Sequence, residues 1–370
     1  MERRVTYAVV SLMLVSTVSS TCPCSDPEWC KPITNTTRKE VFMFSLHDKA
    51  SSWSRFDWTR VTTVVMVGYV SPDLMCFAHQ HNARVVIIAN YQTADLTNSS
   101  KRQAWVTQQL ATVQDNYLDG INIDFESPIP KDQVDVRDGY TSLVRETYQA
   151  FKSALPYSQV TVDVAWSPAC IDLRCYDYKG LAQYTDFLFV MSYDEQSQIQ
   201  GECIAKANSG FAKTLTGLQG YLKIVEIPPS QLVLGMPWYG YRYPCLQLTQ
   251  DDKCFIKHVP FRGVNCSDAA GTQRDFSAVY PLLQSSGAKR IWDNVTQTPH
   301  FTYKDPSTGI MYQYQYDDPE SISIKCQMAE TLGLRGVGIW NADSVDYSNT
   351  TEANKVRQWM WGSLPQGPSW

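Results

Sequence analysis

Apolar and polar positions sort into eight short runs rich in β-branched and aromatic residues, at 41–46, 63–69, 84–91, 120–126, 160–166, 187–194, 232–239 and 336–342. Runs of this length and composition predict strands. The stretches between them carry a different period. Val106, Leu110, Val113 and Tyr117 step by four, three and four, which makes one apolar helix face. Tyr140, Val144, Tyr148, Phe151 and Leu155 do the same, and 209–224 is a weaker helix that stops before Pro228 and Pro229. Strand–helix alternation repeated eight times predicts an α/β fold, a parallel (β/α)8 TIM barrel. An open doubly wound sheet is the alternative, but no Gly-rich phosphate turn follows any strand. One connection breaks the rhythm. Residues 242–318 hold Cys245, Cys254, Cys266, a turn at 305–309 and short aromatic runs, and predict a small α+β insertion domain after strand seven. The expected organisation is a signal peptide at 1–20, barrel strands one to seven within 21–241, the insertion at 242–318, and strand eight with a C-terminal helix at 319–370. The last residues, 365–370, read as a frayed tail.

The most informative run is the fourth. Asn122, Asp124 and Glu126 alternate with Ile121, Ile123 and Phe125, so the three polar groups leave one face of the strand. Two carboxyl groups and an amide are expensive to bury together. Two carboxylates so close repel, which raises the pKa of one and lets it serve as an acid. An edge strand with this face in water is the bland alternative; a closed barrel has no edge. Catalytic groups of such barrels gather where strands end. Glu126, Tyr193 with Asp194, Trp238 with Tyr239, and Trp340 with Asn341 all fall at expected strand ends. Asp119, just before Gly120, reads equally well as a strand anchor or a turn residue.

Charge and cysteines narrow the setting. The 370-residue chain has a net charge of −5 and no long basic run, which disfavours nucleic acid. Arg3 and Arg4 precede a mostly apolar stretch at 5–18 that is too short and broken for a membrane span. Eleven cysteines suit an oxidising compartment, and the odd number leaves at least one thiol outside intrachain disulfides. Cys22, Cys24 and Cys30 crowd together, and Cys170/Cys175 and Cys245/Cys254 are close enough to close local loops. Sequons at Asn35, Asn98, Asn265, Asn294 and Asn349 agree with the secretory route. No metal-ligand spacing is present, so no metal or cofactor is expected.

Asp119-Gly120-x-Asn122-x-Asp124-x-Glu126 resembles the active-site signature of glycoside hydrolase family 18, the chitinases and their relatives. Met191-Ser192-Tyr193-Asp194 is similar to that family's sixth-strand motif, Leu234-Gly235-Met236-Pro237-Trp238-Tyr239-Gly240 to its seventh and Gly336-Val337-Gly338-Ile339-Trp340 to its eighth. The resemblance covers nearly all of the chain after residue 20. Asn122 departs from the pattern, since many chitinases carry aspartate there, and Ala89-Asn90-Tyr91 stands in place of a Ser-x-Gly-Gly turn. Within the family, Asp163-Val164-Ala165-Trp166-Ser167-Pro168 and the run from Met191 to Ile199 look most like members that cleave the chitobiose core of free N-linked oligosaccharides from the reducing end.

The resemblance implies a retaining, substrate-assisted glycosidase. In it Glu126 is general acid and base, Asp124 holds the acetamido N–H, and Tyr193 orients the acetamido oxygen. Trp340 floors the reacting sugar, with Asn122, Met191, Asp194, Trp238 and Tyr239 as further substrate contacts. It also implies a monomer in the lysosome, with an oligosaccharide ending in reducing-end GlcNAc as its partner and no nucleic acid or membrane. A chitinase or an endo-acting N-acetylglucosaminidase shares this chemistry. A sugar-binding lectin is the other class; such relatives lose the glutamate that is present here as Glu126.

Overall fold

The computed structural model describes residues 21–366; the expected leader at 1–20 and the tail residues 367–370 lie outside them. Eight parallel strands close into a barrel. They are β1 (Glu40–Ser45), β2 (Thr63–Met66), β3 (Arg84–Ala89), β4 (Gly120–Ile123), β5 (Gln159–Ala165), β6 (Phe187–Met191), β7 (Leu232–Pro237) and, last in the chain, β15 (Gly336–Trp340), which pairs with both β7 and β1. The helices are α1 (Ala50–Trp53), α2 (Pro72–Gln80), α3 (Ser99–Asp115), α4 (Val134–Ala154), α5 (Tyr178–Gln183), α6 (Phe211–Gln219), α7 (Phe276–Ser286), α8 (Pro319–Thr331) and α9 (Thr351–Gly362). Each strand ends one to three residues earlier than its apolar run. At the mouth the chain leaves the ladder, still extended after β4 but turned at Gly68 and Asp194, whose φ are 77° and 50°. Pro237 ends β7 for a covalent reason, since it has no N–H to donate.

Helix starts follow local chemistry. Ser71 caps α2 by accepting from the Leu74 N–H and is followed by Pro72. Asp318 and Ser321 form a reciprocal capping box at α8. The strand faces divide as their alternation predicts. Ile121, Ile123 and Phe125 join the shell between barrel and helices, with Tyr140, Val144 and Phe151 of α4.

The bore is filled by rings. Phe42, Phe44, Phe187 and Phe189 are fully buried, and Phe44 meets Phe189 edge-on at 5.0 Å. Gly235 of β7 and Gly338 of β15 are register partners, and they make the slot for Phe189. A Cβ on Gly235 would lie 2.5 Å from the Phe189 ring, and one on Gly338 would lie 2.6 Å from it. Glycine is needed here for close approach, not for turning the chain.

The bottom of the barrel is polar and closed. The fully buried Glu40 accepts from Thr62 at 2.5 Å and Gln159 at 3.2 Å, with Arg84 at 3.8 Å and Arg335 at 3.6 Å. Asp119 lies at this end and accepts from His79 Nε2 and the Val85 N–H, each at 2.7 Å, which makes it an anchor of the strand start. His79 Nδ1 faces the Trp29 carbonyl at 2.6 Å, so the N-terminal segment is clipped to α2. Disulfides Cys22–Cys30 and Cys24–Cys76 staple the same segment.

Between β7 and α8 the chain builds a second, antiparallel sheet of five strands in the order β11-β8-β14-β13-β12. These are β8 (Tyr239–Pro244), β11 (Thr272–Asp275), β12 (Ile291–Asp293), β13 (Thr298–Lys304) and β14 (Met311–Gln315); a two-strand ribbon of β9 (Gln247–Leu248) and β10 (Cys254–Phe255) lies beside them. β8 starts at Tyr239, inside the run read above as the seventh barrel strand. Cys245–Cys254 closes the ribbon, and Cys203–Cys266 ties this region to the loop after β6. Cys326 is the unpaired, buried cysteine. Asn35, Asn98, Asn265, Asn294 and Asn349 are all exposed.

Candidate active site

The site is built from strand ends. Beyond β4 the chain continues extended, held by Asp124 N–H donating to the Ala89 carbonyl at 2.8 Å. Tyr176 Oη donates to the carbonyls of Phe125 at 3.2 Å and Ser127 at 2.5 Å, which fixes the backbone on both sides of Glu126. Alternation then turns Asn122, Asp124 and Glu126 the same way, at three depths. Asn122 is fully buried. Asp124 is mostly buried, and its Oδ1 has no hydrogen-bond partner. The Glu126 side chain is 46% exposed and accepts from Arg174 Nη2 at 2.8 Å.

Depth decides the electrostatics. Burial, followed by the Glu126 charge and opposed by Arg174, pushes Asp124 up to about 7. The larger cause is desolvation rather than the mutual repulsion expected from spacing.

Two groups at this site had no role in the sequence reading, although Asp163 stands in one of its motifs. Asp163 of β5 is buried. Asn122 Nδ2 donates to its Oδ2 at 2.7 Å, and Asn122 Oδ1 accepts from Thr161 at 2.6 Å. β4 and β5 pair Asn122 with Thr161 and Ile123 with Val162, so the next step sets Asp124 beside Asp163 across adjacent strands. Burial and then the Asp124 charge raise Asp163 as well. A carboxyl group in a fully buried strand, between Val162 and Val164, was the available signal. The second group is Arg174, whose loop position gives it no period to be read from.

The sixth- and seventh-strand residues divide between mouth and support. Tyr193 is 7% exposed, and burial keeps its hydroxyl protonated well past the ordinary range, hence a donor. Its ring meets Tyr239 edge-on at 6.0 Å. Asp194 Oδ1 accepts from Tyr239 Oη at 2.7 Å and Tyr241 Oη at 3.0 Å, and its N–H donates to Asn208. Met191 packs in the bore. Trp340 closes β15 and sits 5.1 Å from Phe44, above the plug of rings.

This geometry sets three of the expected substrate contacts behind the mouth. Trp238 is fully buried on the opposite face, edge-on to Trp361 of α9 at 5.1 Å. Neighbouring residues of extended chain point to opposite faces, so Trp238 and Tyr239 cannot both reach the mouth. Tyr239 is buried behind Asp194 and supports it. Asn122 lies beneath Asp124 with its amide engaged by Asp163 and Thr161. Possible metal-ligand atoms come together in space at Cys22/Cys24/Cys30 and Cys203/His258/Cys266, but every one of those cysteines is in a disulfide. Among the described residues no helix is long and apolar enough to cross a membrane.

With this barrel and these paired carboxyl groups in place, the sequence matches the family described as glycosyl hydrolases family 18 over residues 84–344, and the chain belongs to that family. It is a glycoside hydrolase. It is 46% identical to di-N-acetylchitobiase of Rattus norvegicus over 343 residues, covering 93% of this chain and 92% of that protein. It is 45% identical to the Homo sapiens di-N-acetylchitobiase, over 93% of this chain and 88% of that one. The class V chitinase of Nicotiana tobaccum shares the fold, with a TM-score of 0.69 at 14% identity over 88% of this chain and 99% of that structure.

Proposed function

We propose that this enzyme cleaves the β1,4 bond of GlcNAc-GlcNAc at the reducing end of free N-linked oligosaccharides, with retention and with the substrate's own acetamido group as nucleophile. The observation that carries the mechanism is the arrangement of Asp124 and Glu126, two residues apart on one extended segment. Carboxyl groups so placed cannot flank an anomeric carbon from opposite sides, as a conventional retaining pair must. Glu126, the exposed member, protonates the glycosidic oxygen. The acetamido oxygen attacks the anomeric carbon, the glycosidic bond breaks toward the leaving sugar, and an oxazolinium forms. Asp124 accepts from the acetamido N–H and stabilises the charge developing there. Tyr193 donates to the acetamido oxygen and aims it. Water then opens the oxazolinium as Glu126 takes the proton back. Trp340 provides an apolar floor, Asp194 supports the mouth, and Asn122 acts from below through Asp163.

The substrate reading is supported by the likeness to the di-N-acetylchitobiases over nearly the whole of both chains. The same likeness supports a monomeric lysosomal enzyme, with the exposed sequons as glycan sites. Three substrates side by side test the proposal: di-N-acetylchitobiose, its 2-hydroxy counterpart, and a chitobiose-ended oligosaccharide with its reducing end blocked. We expect turnover of the first alone and inhibition by a thiazoline mimic of the oxazolinium. Equal turnover of the 2-hydroxy sugar refutes substrate assistance. Internal cleavage of long chitin without action on chitobiose replaces the substrate reading by a chitinase.

A further inference from the structure

We propose that Arg174 is a positioning residue for Glu126, and that the disulfide-closed loop carrying it is a working part of the catalytic machinery. The inference rests on the reading of Glu126 as general acid. Arg174 is mostly buried, with a side chain 14% exposed, and its Nη2 meets Glu126 Oε2 at 2.8 Å. Asp172 Oδ2 lies 3.6 Å from the same nitrogen.

The loop is held on every side. Cys170–Cys175 closes it. Ile129 N–H donates to the Leu173 carbonyl at 2.9 Å, and Cys175 N–H donates to the Ile129 carbonyl at 3.1 Å, so it is bridged to the chain just after Glu126. Tyr178 Oη donates to the Arg174 carbonyl at 2.7 Å. Ser197 Oγ donates to Asp172 Oδ1 at 2.9 Å, and Gln198 accepts from the Asp172 N–H at 3.1 Å, which joins it to the loop after β6. Cys170, Asp172 and Leu173 adopt positive φ of 54°, 55° and 62°. Left-handed backbone at non-glycine residues costs roughly 1–3 kcal/mol each and persists where surroundings over-determine it. The consequence of that geometry is one guanidinium aimed at one carboxyl oxygen.

That contact has a chemical effect. With Oε2 engaged by Arg174, the proton that Glu126 delivers must sit on Oε1. The guanidinium thus fixes both the side-chain rotamer and the donating oxygen. The same charge opposes the raised pKa of the neighbouring Asp124, so losing it lets Asp124 hold its proton to higher pH. The other titratable groups facing Glu126 are Asp124 beside it, Asp163 from β5, Tyr176 beyond the loop, and Tyr193 with Asp194 after β6. Arg174 is the cation among them.

The test is the pH dependence of kcat on di-N-acetylchitobiose for Arg174→Met, Arg174→Lys and Glu126→Gln. We expect Arg174→Met to lower kcat about tenfold at its optimum and to move the limb set by Asp124 to higher pH. Arg174→Lys, which keeps the charge but not the planar donor, should hold the limb near its original pH with kcat still reduced. A role in folding alone lowers the amplitude and leaves the limb in place. Folded Arg174→Met with an unmoved limb overturns the proposal, and should that variant not fold, Arg174→Gln carries the same measurement. Glu126→Gln separates the two levels. If it remains active, the general-acid reading falls; if it is inactive while the limb stays put in Arg174→Met, only the arginine proposal falls.

Discussion

Asp124→Asn should make the protein inactive and, at neutral pH, more stable. Asp124 is pushed from its ordinary 3.8 to about 7, first by burial and then by the Glu126 charge. Its folded pKa therefore exceeds the unfolded one. Below about pH 3.8 the carboxyl is neutral in both states and costs nothing. As pH rises, the unfolded chain ionises freely while the folded one resists, so a penalty accumulates. It is complete near pH 7, where three units at 1.36 kcal/mol each amount to about 4 kcal/mol. A side-chain amide in place of the carboxyl does not ionise, so the variant escapes that penalty. For roughly 350 residues, 1 kcal/mol corresponds to roughly 1.4 °C in Tm, so the variant should melt roughly 5 °C above the parent at neutral pH. The gap should shrink steadily toward pH 4. Thermal unfolding across that range, with activity measured in parallel, is the assay. A pH-independent difference, or a variant less stable than the parent at neutral pH, would refute the account of Asp124 as a desolvated acid.

Glu126→Gln should keep fold and Tm and lose ~10²–10⁴ in kcat, read on an unactivated β1,4-linked GlcNAc substrate. His79 faces acceptors from both ring nitrogens; burial lowers its pKa, but the Asp119 charge and hydrogen bond, with the Trp29 carbonyl, outweigh this and raise it. The parent's stability advantage over His79→Gln should therefore be full below about pH 6 and fade as pH rises through the elevated pKa, as denaturant titrations will report. Gly338→Ala should lower stability by about 1–3 kcal/mol or more, because the new Cβ would meet the Phe42 carbonyl oxygen at 2.5 Å and backbone cannot yield as a side chain can. Its denaturant midpoint should partly recover when Phe189 is shortened to Leu.

The barrel was legible because both periods, two and 3.6, repeat cleanly along the chain, and the starts of the eight runs agree with the strand starts to within a residue. The strand ends were less legible, since apolar composition continues past the last ladder bond into the mouth. The grouping of Asn122, Asp124 and Glu126 follows from alternation alone, yet their depths do not. Depth depends on what the neighbouring strand brings, here Thr161 and Asp163. Trp238 and Tyr239 could have been separated by parity, since adjacent residues of extended chain diverge. Arg174 and Tyr241 could not have been found that way. One sits on a loop with left-handed backbone, and the other reaches Asp194 only because the second sheet folds back over the barrel rim.

The column of rings in the bore links the scaffold to the sugar. Phe189 fits only because two glycines face each other across β7 and β15, Phe44 rests on Phe189, and Trp340 rests on Phe44. The height and tilt of the indole are thus inherited from packing well below the mouth. Heat tolerance and grip on the substrate share these atoms, so laboratory or natural selection for one will drag the other along. An interior swap that leaves every polar residue untouched can still change which sugars are accepted.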